Sequence, residues 1–314
     1  MITLGDIRAA RERIAPYIRR TPTLAYARTR GPDFGGQVTL KLESLQAAGS
    51  FKARGAMNRL LTLSRGELAR GIVTASGGNH GLAIARSAHV LGVTATIFLP
   101  SNVAPDKIAK LRDWGAELHI VGTVWDEANA AALAHADLTG ATYAHPFGDP
   151  AVVAGQGTLG LDILDDMQDV DIVLVAIGGG GLIAGLSTAV KALRPQARII
   201  GIEPVGSPTL HACLQAGRVV TLERLDSRVA TMSCRRTEPA IYETVARNVD
   251  EIVLVTDAAM QEAAQALWFE CGIAADLSGA AALAALQSGR VPLAGGERIC
   301  ALVCGAGTDG CMPA

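Results

Sequence analysis

Lys52 stands in Gly49-Ser50-Phe51-Lys52-Ala53-Arg54-Gly55 and is one of five lysines in the chain. A lysine amine attacks a carbonyl only in its neutral form, and burial beside aromatic and apolar groups lowers its pKa enough to expose that form. The segment makes Lys52 a candidate for imine formation with a carbonyl cofactor. The other four lysines read as ordinary. Lys41 alternates with apolar residues from Val38 to Leu42, as on the wet face of a strand, and Lys107 and Lys110 lie on an amphipathic helix pattern. Lys191 falls in the last turn of a helix, where a cation suits the dipole. Taken alone, the Lys52 segment also fits a surface lysine, so its accompanying motifs decide.

Gly178, Gly179, Gly180 and Gly181 follow a strongly apolar strand pattern and open a helix. Four consecutive glycines cost backbone entropy. They make sense where N–H groups converge on an anion such as phosphate at a helix N-terminus, the plainer alternative being a tight turn. The P-loop spacing to Lys-Ser/Thr is missing, which excludes a nucleoside triphosphate loop. Ser76-Gly77-Gly78-Asn79-His80 also joins a strand to a helix, and could hold a substrate carboxylate against its N–H groups and side chains. Asn79 could equally be a helix N-cap and His80 a structural histidine. Gly155-Gln156-Gly157-Thr158 precedes a helix pattern and reads as a third polar turn.

Gly305-Ala306-Gly307-Thr308-Asp309-Gly310 matches G-x-G-x-x-G, yet only four residues follow it. A dinucleotide fingerprint expects a helix and a second strand there, so a nicotinamide oxidoreductase is poorly supported. The strand before this segment places Cys304 at a sheet's carboxyl edge, where ligands of open α/β sheets bind. The six histidines show no metal-ligand spacing, and no G-x-S-x-G elbow anchors a hydrolase triad.

These motifs need a scaffold. Strand patterns over 71–75, 94–99, 117–121, 171–177, 198–203, 251–256 and 298–304 alternate with helix patterns over 79–91, 105–114, 124–138, 154–167, 182–193, 257–271 and 278–286. Asp257 reads as an N-cap and Gly272 as the C′ residue of one helix. The alternation predicts open, mostly parallel sheets covered by helices in two lobes, the region around 71–121 forming a small lobe inserted in a larger one. With 314 residues, 49% of them apolar, burying a large core is easy. A formal charge of −2 without a basic stripe argues against nucleic acid and anionic membrane. The N-terminus carries no signal-peptide pattern and no window reads as a membrane span. The six cysteines form no framework and read as reduced thiols in a cytoplasmic protein.

In this order, Ser50–Ala56, Ser76–His80, Gly155–Thr158 and the 178–181 glycines resemble the serine/threonine dehydratase branch of the fold-type II pyridoxal-phosphate enzymes. The likeness runs from about Ile7 to Asp309. It implies a tryptophan synthase β-like fold, with a large cofactor-binding domain over 1–56 and 149–314 and a small substrate-side domain over 57–148. It implies pyridoxal 5'-phosphate bonded to Lys52, which returns as the base at the substrate Cα. Phe51 would pack beside the ring, Asn79 would meet its phenolic oxygen, and the 178–181 run would cradle the phosphate. Ser76, Gly77, Gly78, Asn79 and His80 would hold the substrate carboxylate. Cys304 takes the place of the family's usual serine at the pyridine nitrogen. A neutral partner there leaves that nitrogen largely unprotonated and the ring a weaker electron sink.

The implied reaction is α,β-elimination from a β-hydroxy amino acid, with L-threonine and L-serine as default substrates. The alternatives are a specialised β-hydroxy substrate such as 3-hydroxyaspartate, phenylserine or a hydroxylated diamino acid, a racemase or β-replacement enzyme, and a binding protein without turnover. Family racemases carry a serine where Gly77 stands, which counts against racemisation. The family's metal-site glutamate matches Glu203, but its aspartate partner is Thr209 here, so no metal is expected. The family's Glu-Pro-Ser-Gly segment is Asp276-Leu277-Ser278-Gly279. Arg235 and Arg236, in an atypical 230–236 stretch, either face a second anionic group or lie on the surface. The family's C-terminal regulatory domain has no counterpart in this sequence, and a homodimer is implied by the resemblance alone.

Overall fold

A computed structural model describes residues 1–31 and 33–311. The chain opens with α1 (Leu4–Ile14), β1 (Thr23–Tyr26), β2 (Gln37–Leu42), α2 (Lys52–Leu61) and α3 (Arg65–Ala69). It continues with β3 (Ile72–Ala75), α4 (Asn79–Leu91), β4 (Ala95–Leu99), α5 (Pro105–Asp113), β5 (Glu117–Ile120), α6 (Trp125–Thr139) and β6 (Thr142–Tyr143). There follow α7 (Pro150–Asp166), β7 (Ile172–Ala176), α8 (Gly181–Leu193), β8 (Arg198–Pro204), α9 (Thr209–Ala216) and α10 (Pro239–Asn248). The last elements are β9 (Glu251–Val255), α11 (Asp257–Cys271), α12 (Leu277–Gln287) and β10 (Arg298–Val303).

Two sheets result. The larger has the order β1-β2-β10-β7-β8-β9, parallel except for edge strand β1; the smaller, β5-β4-β3-β6, is wholly parallel. Parallel strands covered on both faces read as continuous apolar runs. Ile172–Ala176 is buried throughout, as is Ala95–Leu99. α12 is apolar on every face because it lies inside the large lobe, packed on β10, β7 and α11, with Leu277 to Leu286 all buried. Among the described residues, no helix is long and apolar enough to cross a membrane. All six cysteines are free thiols.

Three sequence expectations need correction. Gly155-Gln156-Gly157-Thr158 is not a turn: the helix pattern over 154–167 prevails over it, and the segment lies inside α7, which begins four residues before Ala154, with Pro150 in its first turn and Asp149 as its cap. Its glycines admit neighbouring helices. A Cβ on Gly155 would lie 2.7 Å from the Arg54 carbonyl of α2, and one on Gly157 would lie 2.9 Å from the Gly185 carbonyl of α8. The α11 cap is Thr256, whose hydroxyl accepts from the Ala259 N–H, so Asp257 is the first helical residue; Gly272 ends the helix in the left-handed conformation.

Lys41 is the third correction. It is fully buried, donating to the Thr21 carbonyl (2.6 Å) and pairing with Asp166 (2.7 Å). The period-2 pattern misses this because β2 lies inside the sheet between β1 and β10 and its last residues, Leu40, Lys41 and Leu42, are buried in succession, so both faces are covered there. Beside it lies a second buried cation. Arg54 is fully enclosed, with Glu43 at 2.8 Å, Asp162 at 2.7 Å and the Thr158 hydroxyl at 3.1 Å. These bonds clamp α2 to the end of β2 and to α7. Removing one partner of a buried pair leaves an uncompensated charge. Arg54→Met should therefore lower stability by roughly 3–5 kcal/mol in denaturant unfolding, and a loss below about 1 kcal/mol would contradict the clamp.

Candidate active site

The turn before α2 is built to deliver Lys52. Ala48 (φ 59°) and Gly49 (φ 77°) both take left-handed conformations, which at a non-glycine residue costs roughly 1–2 kcal/mol. The reversal lays Ser50 and Phe51 against the end of β10. The Phe51 N–H donates to the Cys304 carbonyl (3.1 Å), the Ala306 N–H donates to the Gly49 carbonyl (2.8 Å), and Ser50 bridges Gly305. α2 then starts at Lys52 itself, whose Nζ donates to the Pro146 carbonyl (2.7 Å) and lies 5.3 Å from the Phe51 ring centroid. Lys52 keeps some solvent contact, yet the protein strips away enough water to push its pKa down to about 8. The neutral nucleophile required above is accessible near neutral pH.

The glycines 178–181 form the connection from β7 to α8. Side chains have no room there: a Cβ on Gly178 would lie 2.7 Å from the Thr231 carbonyl, and one on Gly179 would lie 2.3 Å from the Phe147 ring. Gly180 has φ +91°. The Thr237 hydroxyl anchors the turn by donating to the Gly179 carbonyl (2.9 Å). Among the described residues, none accepts a hydrogen bond from the N–H groups of Gly178 to Gly181. Such a row of unspent donors at a helix N-terminus suits a phosphate.

The Ser76–His80 turn joins β3 to α4, and the Ser76 hydroxyl accepts from the Gly78 N–H (3.3 Å). Asn79 is not the N-cap; Gly78 holds that position. The Asn79 amide instead donates to Asp276 (2.9 Å), at the start of α12. The ring of His80 is buried, pairs with the Ala144 carbonyl (3.1 Å), and is kept neutral by burial, which pushes its pKa down to about 3. Its imidazole is thus a strut, committed to the Ala144 carbonyl. A Cβ on Gly77 would lie 2.2 Å from a methyl of Val103.

Cys304 is buried at the carboxyl end of β10, its thiol 3.8 Å from the Ser278 hydroxyl. Burial, reinforced by nearby Asp276, holds the thiol well above its ordinary pKa and keeps it protonated. The structure thus gathers Phe51, Lys52, Cys304 and Asn79 around the ends of the two sheets. It also shows groups that motif reading passed over: the Pro146 carbonyl, Phe147, Thr231 and Thr237. These sit in loops distant in sequence, and no local spacing announces them. Arg235 donates to the carbonyls of Leu222 (3.1 Å) and Glu223 (3.0 Å), and Arg236 to the Thr221 hydroxyl (2.9 Å), so both serve their own surface loop.

Glu203 is buried, which pushes its carboxyl up to about 7 against hydrogen bonds from the His211 and Leu210 N–H groups. The Thr209 hydroxyl donates to the Cys234 carbonyl. Among the described residues, no group of three His, Cys, Asp or Glu could hold a metal ion.

A pKa-lowered lysine beside unspent helix-terminal donors and a neutral thiol defines a site for a phosphorylated aldehyde cofactor between two parallel sheets. Comparison with known proteins agrees. Residues 14–305 match the family of pyridoxal-phosphate dependent enzymes. The chain is 40% identical over 286 residues to the L-threonine ammonia-lyase of Thermotoga maritima, covering 91% of this chain and 71% of that one. It is 38% identical over 315 residues to a catabolic L-threonine dehydratase of Staphylococcus aureus, covering 98% and 90%. Among solved structures, maize serine racemase superposes with a TM-score of 0.91 at 30% identity, over 97% of this chain and 93% of that one. The T.th. threonine deaminase gives 0.88 at 35% identity, over 97% and 98%. The chain belongs to the pyridoxal-phosphate dependent enzymes, in the serine/threonine dehydratase branch of fold type II. Its residues fit that cofactor: Lys52 would bond the aldehyde, the unspent 178–181 N–H groups would take the phosphate, and the protonated Cys304 would face the ring without donating charge. Because only the neutral amine reacts, covalent capture of pyridoxal phosphate by the apoprotein, followed by absorbance, should accelerate with pH and level off above about 8. A rate still climbing as for a free lysine, toward pH ~10, would contradict the lowered pKa.

Proposed function

We propose that this chain is an ammonia-lyase that converts L-threonine, and L-serine beside it, to a 2-oxo acid and ammonia. The observation that carries the reading is the placement of the Lys52 amine, with its pKa near 8, beside Cys304 and the unspent N–H groups of Gly178–Gly181. Its relatives' names point the same way.

Bound pyridoxal phosphate supplies the electron sink that lets a substrate's α-proton leave. The chain's own residues do the rest. The N–H groups of the Ser76–His80 turn hold the substrate carboxylate and so orient Cα. Lys52, neutral near pH 8, takes the α-proton. Cys304 stays a thiol and leaves the pyridine nitrogen without a full proton, which favours prompt loss of the β-hydroxyl over a long-lived carbanion. Loss of water across Cα–Cβ, then hydrolysis at the amino-bearing carbon, balances as one 2-oxo acid and one ammonia.

The racemase reading is disfavoured by Gly77. A base on the opposite face would have to grow from a position where a Cβ already meets Val103 at 2.2 Å, and valine is stiff at χ1. A doubly anionic substrate is disfavoured because Arg235 and Arg236 are engaged elsewhere. We further propose a homodimer in the cytoplasm, and the division 1–56 with 149–314 against 57–148, which the separate sheets support. The six free thiols suit a reducing compartment.

The purified protein with pyridoxal phosphate should release 2-oxobutanoate and ammonia in equal amounts from L-threonine. Lys52→Ala should lose at least ~10³-fold in turnover while keeping its fold by circular dichroism. Substantial residual turnover in that variant would sink the reading. Gly77→Ser alone should not bring serine racemisation, as checked by chiral chromatography; D-serine formation at a rate comparable to elimination would show that Val103 yields.

A further inference from the structure

We propose that Asp276 is the positioning residue of this site, one buried carboxylate that orients the Asn79 amide directly and the Cys304 thiol through Ser278. The inference rests on the reading above, in which Asn79 meets the cofactor's phenolic oxygen and Cys304 its ring nitrogen.

Asp276 caps α12, and its side chain is buried. One carboxylate oxygen accepts from the Ser278 hydroxyl (2.7 Å) and the Gly279 N–H (2.6 Å); the other accepts from the Asn79 amide (2.9 Å). The Gly279 N–H and the Asn79 NH₂ can only donate, so the group they converge on acts as an acceptor on both oxygens. Capping explains one of those oxygens and leaves the other unaccounted for. Ser278 spends its only hydrogen on Asp276, so its oxygen is left as the acceptor facing the Cys304 thiol at 3.8 Å. Donation therefore runs from Cys304 to Ser278 to Asp276, and from Asn79 to Asp276.

Two results follow from that direction. The thiol hydrogen is drawn toward Ser278, and so would be turned from the ring nitrogen. The Asn79 amide is held with its nitrogen against Asp276, so it cannot turn over and present its oxygen there. Gly305 seals the arrangement: a Cβ on it would lie 2.7 Å from the Asp276 carboxylate and 2.9 Å from the Asn79 amide nitrogen. Asn79 begins α4, which packs on the smaller sheet, while α12 packs on the larger. The same bond therefore spans the two sheets' lobes.

The test compares Asp276→Asn, Asp276→Glu, Asn79→Ala and the double variant Asn79→Ala/Asp276→Asn, all as holoenzyme. Three quantities are read: the dissociation constant of pyridoxal phosphate, the pH dependence of its visible absorption band, and the melting temperature. Asparagine is itself a good N-cap, so α12 should survive the first change, but its amide would meet that of Asn79 donor to donor. Asp276→Asn should weaken cofactor retention about tenfold or more, the size of one lost hydrogen bond to a charged group, and shift the band's pH midpoint as Asn79→Ala does. The double variant should add nothing, since the two act as one unit. Asp276→Glu should restore both readouts. If Asn79→Ala moves the band and Asp276→Asn does not, the inference is overturned and the site reading stands. A lower melting temperature with an unmoved band reduces Asp276 to a cap and overturns it equally. If Asn79→Ala itself leaves both cofactor readouts unchanged, the site reading fails and takes the inference with it.

Discussion

The enclosed guanidinium of Arg54 is the constraint on which the site depends. It lies two residues beyond Lys52 on the same helix, bound to Glu43, Asp162 and Thr158 without access to water. A charge taken out of water in this way is held by geometry or not at all. Its partners come from the end of β2 and from α7, so satisfying Arg54 fixes the axis and rotation of α2. Lys52, in the first turn of that helix, inherits its position. The glycines at the α2–α7 and α7–α8 contacts complete the arrangement by letting three backbones approach where any side chain would collide. α8 carries the 178–181 turn at its head. One packed unit thus sets both the amine and the donors of the proposed phosphate site.

Polarity follows from the same layout. Parallel strands point their carboxyl ends one way, and the connections after β3, β7 and β10 carry Ser76–His80, Gly178–Gly181 and Cys304. Ligand sites of open α/β sheets lie at such ends because helix N-termini and unpaired backbone groups gather there. Here the larger sheet carries Lys52, Gly178–Gly181 and Cys304 of the proposed cofactor site, while the smaller brings its Ser76–His80 turn to them through the Asn79–Asp276 bond.

Much of this was legible in the chain. Buried parallel strands leave apolar runs, and the helix over 79–91 was bounded without error because Gly92 ends it in the left-handed conformation. The Lys52 segment and the glycine run were visible because each breaks an ordinary rule of composition. What escaped was long-range. Lys41 has the alternation of a half-wet strand, and only the covering of β2 on both faces shows that it is buried. Gly155 and Gly157 resemble turn residues, since local reading treats glycine as punctuation, whereas their cause is the approach of α2 and α8. Asn79 has the chemistry of a cap, yet its partner lies 197 residues away.

The two thiols near Lys52 carry a consequence for chemical selectivity. An aldehyde is attacked by thiolates as readily as by amines, so a site with Cys234 and Cys304 beside its lysine holds competing nucleophiles. Desolvation acts on them with opposite effect, because it always penalises the charged form. It makes the amine, whose charged form is protonated, easier to deprotonate, and makes each thiol, whose charged form is the anion, harder to deprotonate. The same desolvation thereby disfavours sulfur and favours nitrogen as the nucleophile at this site.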